Sequence, residues 1–197
     1  MLHDQYSRLI RAAEENAYMS IAINEDGSPV SEGFVPWERT VSAFNMRTPK
    51  LTVAAGDLAD GSVMSALKKC TLTGCYIYTE LDDYRFIGEF GQLQDLFFLH
   101  GRQMRDLSFL RSLSDLFMFY IEDASIPDLK PLIDACNKGA DLPGKCFGFR
   151  NCRVADTSAL LDIKFVLSEL LVWPAEDDSP ERWQTGRKPG VFGFYTR

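Results

Sequence analysis

The chain has 197 residues, of which 46% are hydrophobic, 12% aromatic and 25% charged, and it carries a net charge of −7. This apolar content is enough to bury a core and excludes intrinsic disorder. No apolar run approaches the roughly 20 residues of a membrane-spanning helix, and the N-terminus lacks the apolar stretch of a secretory signal. An acidic chain without a basic cluster argues against nucleic acid as a partner. We therefore expect a soluble, cytoplasmic protein that binds neither nucleic acid nor membranes.

The N-terminal segment is predicted to be a helix followed by a strand. Apolar residues recur at helical spacing over residues 4–17, and an apolar segment over 19–24 is typical of a strand. We predict that residues 1–27 form an N-terminal helical cap. The segment 28–50 fits either a capping repeat or a hairpin, and both interpretations stay open.

A pattern of five positions recurs along the middle of the chain. In residues 97–110 it has an apolar-x-apolar triplet, four further residues, apolar-x-Asp, and an apolar residue four positions after the Asp. The repeated aspartates are Asp60, Asp83, Asp106, Asp128 and Asp156. They are separated by 23, 23, 22 and 28 residues, and this regular return predicts a repeat architecture.

Each part of the pattern has a physical interpretation. The apolar-x-apolar triplet is typical of a short strand whose outer two side chains share one face. The apolar residues after the Asp have helical spacing, and the Asp stands where it can accept hydrogen bonds from free backbone N–H groups. One unit cannot bury its own apolar row, but stacked units bury a continuous one. We predict a repeat array over residues 28–175 and a degenerate repeat with an edge strand over 176–197.

The repeat resembles the leucine-rich repeat family, and is most similar to the bacterial internalin-type repeat of about 22 residues. The residues at the motif's L, L, I, D, I, L and L positions are Phe97, Leu99, Met104, Asp106, Leu107, Leu110 and Leu113. The family's Asn position is degenerate here and holds Gly56, Thr79, Arg102, Ala124 and Cys152. The resemblance implies an α/β solenoid with short parallel strands on a concave face and helical or 3₁₀ return segments on a convex face. It also implies a bacterial protein used for protein–protein interaction.

The concave face supplies the candidate binding residues. In the predicted frame, the middle residue of each triplet and the residue two positions later point outward from the sheet. The outward residues that we assign to partner binding are Cys75, Ile77, Phe98, His100, Tyr120, Glu122, Arg150, Leu171 and Trp173. Exposed aromatic and aliphatic side chains on a sheet usually mark an interaction site. We therefore predict a non-enzymatic scaffold that binds another protein or a peptide.

Several alternatives stay open. The outward face can be covered by the N-terminal segment or by a second copy of the chain, and a frame error of one residue would place these side chains in the core. A small enzyme or ligand-binding site would have to use His100, Glu122 and Arg150, together with the thiol of Cys75. An immunity or regulatory protein that masks a basic target is a further possibility, because the chain is acidic.

Cysteine and histidine usage predicts neither a metal site nor a cofactor. The five cysteines form no C-x-x-C pair, and the chain has only two histidines. A structural zinc site needs about four such ligands close together. Without an export signal, we expect the cysteines to be free thiols.

Overall fold

A computed structural model describes residues 2–15, 18–29, 50–139, 144–175, 178–186 and 189–195. The chain divides into two compact units, Met1–Tyr78 and Thr79–Arg197, and the boundary falls inside the segment predicted as one array. Every strand pairing given for the described residues is parallel, and the fold is α/β. Most of the segment 28–50, for which a capping repeat and a hairpin are the two predictions, lies outside the described residues.

The first unit contains a short parallel sheet. Its elements are α1 (Leu2–Glu14), β1 (Tyr18–Asn24), β2 (Lys50–Ala54), the 3₁₀ helix η1 (Ala55–Ala59), α2 (Gly61–Leu67) and β3 (Thr71–Ile77). The strand order is β2-β1-β3. The predicted array places the repeat of β2 directly beside that of β3, and this is wrong because β1 pairs with both strands and separates them.

The second unit alternates strands with short helical segments. Its elements are η2 (Arg85–Glu89), β4 (Asp95–Phe98), η3 (Ser108–Ser112), β5 (Met118–Glu122), β6 (Ser125–Asp128), α3 (Lys130–Lys138), β7 (Lys145–Asp156), η4 (Ser158–Asp162), β8 (Leu167–Pro174), η5 (Pro180–Arg182) and β9 (Val191–Phe194). The strand order is β4-β5-β7-β8-β9, and β6 pairs with the second half of β7. Chain order and spatial order thus agree along this row of strands.

The strand register corrects the predicted frame at β4. From β5 to β9 the predicted triplets are in register: Phe119 pairs with Phe147, Phe147 pairs with Leu170, and Leu170 pairs with Phe192. In β4, however, it is Phe98 that pairs with Ile121. Phe98 therefore points into the core with 0% of its surface exposed, and its assignment to the outward face is wrong.

A similar error occurs at β3. Cys75 pairs with Ile21, and Ile77 pairs with Ile23 on the same face of β1. All four side chains are buried, with at most 2% exposure. The placement of Cys75 and Ile77 on an outward, partner-binding face is therefore wrong, because the weak triplet Gly74-Cys75-Tyr76 is one residue out of phase.

The core of the second unit is aromatic. The Phe98 ring contacts the rings of Tyr84, Phe109 and Phe119 at centroid distances of 5.6, 6.0 and 6.0 Å. Phe119 in turn contacts Phe149 at 5.9 Å, so inward side chains of successive strands touch each other. These contacts give the row of strands a continuous apolar interior.

The repeated aspartates mark the start of the return segments. Their carboxylates accept a hydrogen bond of 2.7–2.8 Å from the backbone N–H two residues later in every case. The acceptors are Asp60, Asp83, Asp106, Asp128 and Asp156, and a helix follows each of them. Asp128 and Asp156 are also direct register partners in β6 and β7. These carboxylates satisfy N–H groups that a helix start leaves without an intrahelical partner.

We expect Asp106→Ala to lower the free energy of unfolding by about 1 kcal/mol, the usual cost of losing a side-chain acceptor at a helix start. Asp106 accepts from both the backbone and side chain of Ser108, and these bonds lower its pKa. Asp106→Asn keeps an acceptor and should lose less. Urea denaturation of the two variants beside the wild type measures the difference. Equal losses for Ala and Asn would contradict a capping role.

Candidate interaction surface on β8 and β9

The outward face of the second unit is buried at one end and open at the other. One row of register partners consists of Phe97, Tyr120, Gly148, Leu171 and Gly193. Phe97 and Tyr120 are only 3% and 1% exposed, whereas Leu171 is half-buried. The outward face is therefore buried at β4 and β5, and an accessible surface begins at β8.

The next outward row brings charged and aromatic side chains together. Glu122 pairs in register with Arg150, and Arg150 with Trp173. The Tyr120 hydroxyl donates to Glu122 Oε1 at 2.5 Å, and Arg150 Nη1 donates to the same oxygen at 3.3 Å. Burial and the Glu122 carboxylate raise the pKa of Tyr120. The charges of Glu122 and Arg150 are therefore already directed at each other.

Trp173 and Tyr195 form a stacked aromatic pair at the open end. Their ring centroids are 4.9 Å apart and the ring planes differ by 14°. The Tyr195 ring also lies over Gly193, where an added Cβ would be 2.5 Å from a ring carbon. Any larger residue at Gly193 would displace the ring, so this glycine allows the stack to lie flat on the sheet. Tyr195 remains 45% exposed.

A third outward row borders this stack. Cys146 pairs with Glu169, and Glu169 pairs with Val191 on the edge strand β9. Val191 is 50% exposed and Glu169 is half-buried. We name the side chains of Glu169, Leu171, Trp173, Val191 and Tyr195 the β8–β9 patch. It combines an apolar and aromatic surface with one carboxylate.

The predicted site residues thus separate into three groups. The buried residues, for which outward exposure is wrong, are Cys75, Ile77, Phe98 and Tyr120. Those that the register brings together on the outward face are Glu122, Arg150, Leu171 and Trp173. His100 is exposed and lies beyond the end of β4, where the N–H of the next residue, Gly101, donates to the Glu122 carbonyl at 2.9 Å, so the His100 backbone lies beside Glu122.

Among the described residues, a side-chain hydrogen bond joins Glu122 to Arg150, but none joins His100 to either of them, so the polar triad required by the enzyme alternative is not assembled. The Cys75 thiol is equally unsuited to act as a nucleophile. Complete burial raises its pKa to about 12, and the reactive form of cysteine is the thiolate. All five cysteines of the sequence are buried free thiols.

Sequence reasoning missed Tyr195, Val191 and Glu169. The first could have been found from the repeat itself, since Tyr195 stands 22 residues after Trp173. Val191 and Glu169 need the strand register, because both lie outside the apolar-x-apolar triplets.

The structure explains why a cysteine can occupy the family's Asn position in one repeat. The Cys152 thiol lies 3.4 Å from the carbonyl oxygen of Ile121 on the neighbouring strand, within hydrogen-bond distance for sulfur.

The corner beyond this row is built from two residues in the left-handed conformation. Asp123 and Asn151 have φ angles of 57° and 51°. The Asn151 amide donates to Asp123 Oδ1 at 2.6 Å, and the Asp123 N–H donates to the Arg150 carbonyl at 2.9 Å. Asn and Asp tolerate this backbone conformation better than most residues. These contacts link β5 and β7 at the outward edge and hold Glu122 and Arg150 in register.

Other functional features are few in the described part of the chain. No described helix has the length and hydropathy of a transmembrane span. The described residues contain no group of three or more His, Cys, Asp or Glu side chains placed to hold a metal ion. Comparisons with protein-family models, with curated proteins and with solved structures gave no significant match to this chain.

Proposed function

We propose that residues 79–197 form a solenoid of the leucine-rich-repeat type, and that the chain binds an extended segment of another protein on the β8–β9 patch without catalysing a reaction. The solenoid proposal is supported by parallel strands stacked in chain order, by short helical return segments and by aspartates at equivalent positions. Five free thiols are typical of a reducing compartment, and we place the binding in the cytoplasm.

The observation that carries the binding proposal is the Trp173–Tyr195 stack, in which Tyr195 is 45% exposed and Trp173 is half-buried. Partly exposed aromatic side chains beside half-buried Leu171 are typical of the energetic centre of an interface. Arg150 borders the stack and is 44% exposed at its side chain, so the patch has a polar rim.

Site-specific photo-crosslinking tests the proposal. A benzoylphenylalanine placed at Tyr195 of the full chain, expressed in cells of the source organism, should give a discrete adduct with a second protein on irradiation. The matched control places the same group at Leu161, which is 54% exposed on the return segment η4. Adducts of equal yield at both positions, or none at Tyr195, would contradict the proposal.

We expect Trp173→Ala to weaken binding of the crosslinked partner by about 30-fold or more, because removing a central aromatic side chain commonly costs 2 kcal/mol or more. The measurement is a titration of the purified partner with wild type and variant. Leu161→Ala removes an exposed apolar side chain outside the patch and should leave the affinity unchanged. An unchanged affinity for Trp173→Ala would place the interface elsewhere.

A further inference from the structure

Glu169 is the carboxylate of the patch that has no counter-ion among the described residues. No hydrogen bond or ion pair from a described residue reaches its side chain, and burial raises its pKa. Glu122, by contrast, accepts from Tyr120 and Arg150. A half-buried, uncompensated carboxylate is unfavourable in the free protein, and a cation brought by a ligand would relieve that cost.

Apolar surface borders Glu169. Its register partner Cys146 has a thiol whose pKa is raised by burial and by the Glu169 carboxylate on the neighbouring strand. Val191 and Leu171 supply apolar surface on either side of the carboxylate. The aliphatic stem of a Lys or Arg side chain packs well on such surface while its charged end reaches the carboxylate.

The spacing along β8 fits an extended ligand. Glu169, Leu171 and Trp173 are alternate residues of one strand and project from the same face. At about 3.3 Å per residue, Glu169 and Trp173 are separated by about 13 Å, which is also the span from residue i to i+4 of an extended peptide. A ligand in this conformation can therefore contact both with side chains on its own single face.

We infer that the partner's segment is basic: it presents a Lys or Arg side chain to Glu169 and, four residues away, an aromatic or large apolar side chain to Trp173. This inference rests on the proposed function and specifies its ligand. The net charge of −7 favours the same class of partner, since opposite overall charge accelerates association.

Selection from a displayed library of random decapeptides against the immobilised full chain tests the inference. Enriched peptides should carry Lys or Arg four positions from an aromatic or large apolar residue. One enriched peptide is then synthesised and titrated by fluorescence anisotropy. Glu169→Gln should weaken its binding about tenfold and reduce the salt dependence, whereas Asp162→Asn, which removes an exposed carboxylate on η4, should change neither.

Charge exchange provides the specific control. A Lys→Glu peptide should fail to bind wild type and regain affinity for Glu169→Lys, which a merely structural role of Glu169 would not produce. Binding that depends on Trp173 but not on Glu169, or enriched peptides without a basic residue, would overturn the inference and leave the proposed function intact. No enrichment, or binding insensitive to both residues, would overturn both. Self-association that Trp173→Ala abolishes would identify a second copy as the occupant and would also overturn the inference.

Discussion

Phe98→Ala is expected to lower the free energy of unfolding by about 3–5 kcal/mol, the usual cost of truncating a fully buried Phe. Phe98 has no exposed surface and its ring contacts three other aromatic rings. Removing the ring loses those contacts and leaves a cavity between β4, β5 and η3. Because a domain of this size is stable by only about 5–15 kcal/mol, the loss is a large part of the total.

Guanidinium denaturation of the full chain measures this effect. Phe192→Ala is the matched control, because Phe192 is 44% exposed on the edge strand β9 and its truncation should cost less than about 1 kcal/mol. Phe98→Leu serves where the alanine variant does not fold, and its loss should be smaller but clearly above that of the control. Equal, small losses at both positions would show that Phe98 is not buried in the core.

The phase of β4 illustrates why the sequence alone could not place this residue. Leu96, Phe97, Phe98 and Leu99 are all apolar, so alternation permits two frames. The distance from the repeated aspartate selects the wrong frame for β4. Phe98 precedes Asp106 by eight residues, whereas its strand partner Ile121 precedes Asp128 by seven. One extra residue in the connecting turn therefore moved the predicted strand to the opposite face.

The same reasoning succeeded where a small or charged residue fixes the phase. Because Gly148 separates Phe147 from Phe149, only one alternation of inward apolar residues is possible in β7. The observed register of β5, β7 and β8 agrees with this alternation. For this reason Glu122, Arg150, Leu171 and Trp173 were placed correctly on the outward face. The position of β1 between β2 and β3 could not be predicted, because pairing between distant segments leaves no periodic signal in the sequence.

A periodic sequence pattern also cannot predict how much of the outward face is exposed to solvent. Tyr120 and Leu171 occupy equivalent positions on their strands, yet Tyr120 is buried and Leu171 is half-buried. Periodicity assigns a side chain to a face but does not show whether anything packs on that face. The candidate surface is therefore confined to β8 and β9 by tertiary structure and not by the repeat.

The second large effect is expected at alkaline pH, where the protein should lose stability steeply above pH 9. Burial raises the pKa of four thiols to about 12 from an ordinary value of 9.0. The four residues are Cys75, Cys136, Cys146 and Cys152. Burial also raises the pKa of Tyr84 from 10.0 to about 12.

The sign follows from proton uptake by the two states. Between pH 9 and 12 these thiols ionise in the unfolded chain but stay protonated in the folded one, so the folded state binds more protons and stability falls as pH rises. Each thiol contributes at most about 1.4 kcal/mol per pH unit, and four contribute at most about 5.5 kcal/mol per unit. Lys145 opposes this trend, because burial lowers its pKa and the unfolded state then binds more protons below pH 10.5. One lysine does not offset four thiols.

Guanidinium denaturation at pH 8, 9, 10 and 10.5 in the presence of a reductant measures the slope. Cys75→Ala and Cys75→Val each remove one of the four thiols, and both should flatten the decline above pH 9 by up to about 1.4 kcal/mol per pH unit. The two variants differ in packing, so their stabilities at pH 8 will differ while their slopes agree. This separates proton linkage from core volume, since a cavity or an overpacked site lowers stability equally at every pH. A slope in both variants equal to that of the wild type would show that ionisation of Cys75 does not contribute to alkaline unfolding.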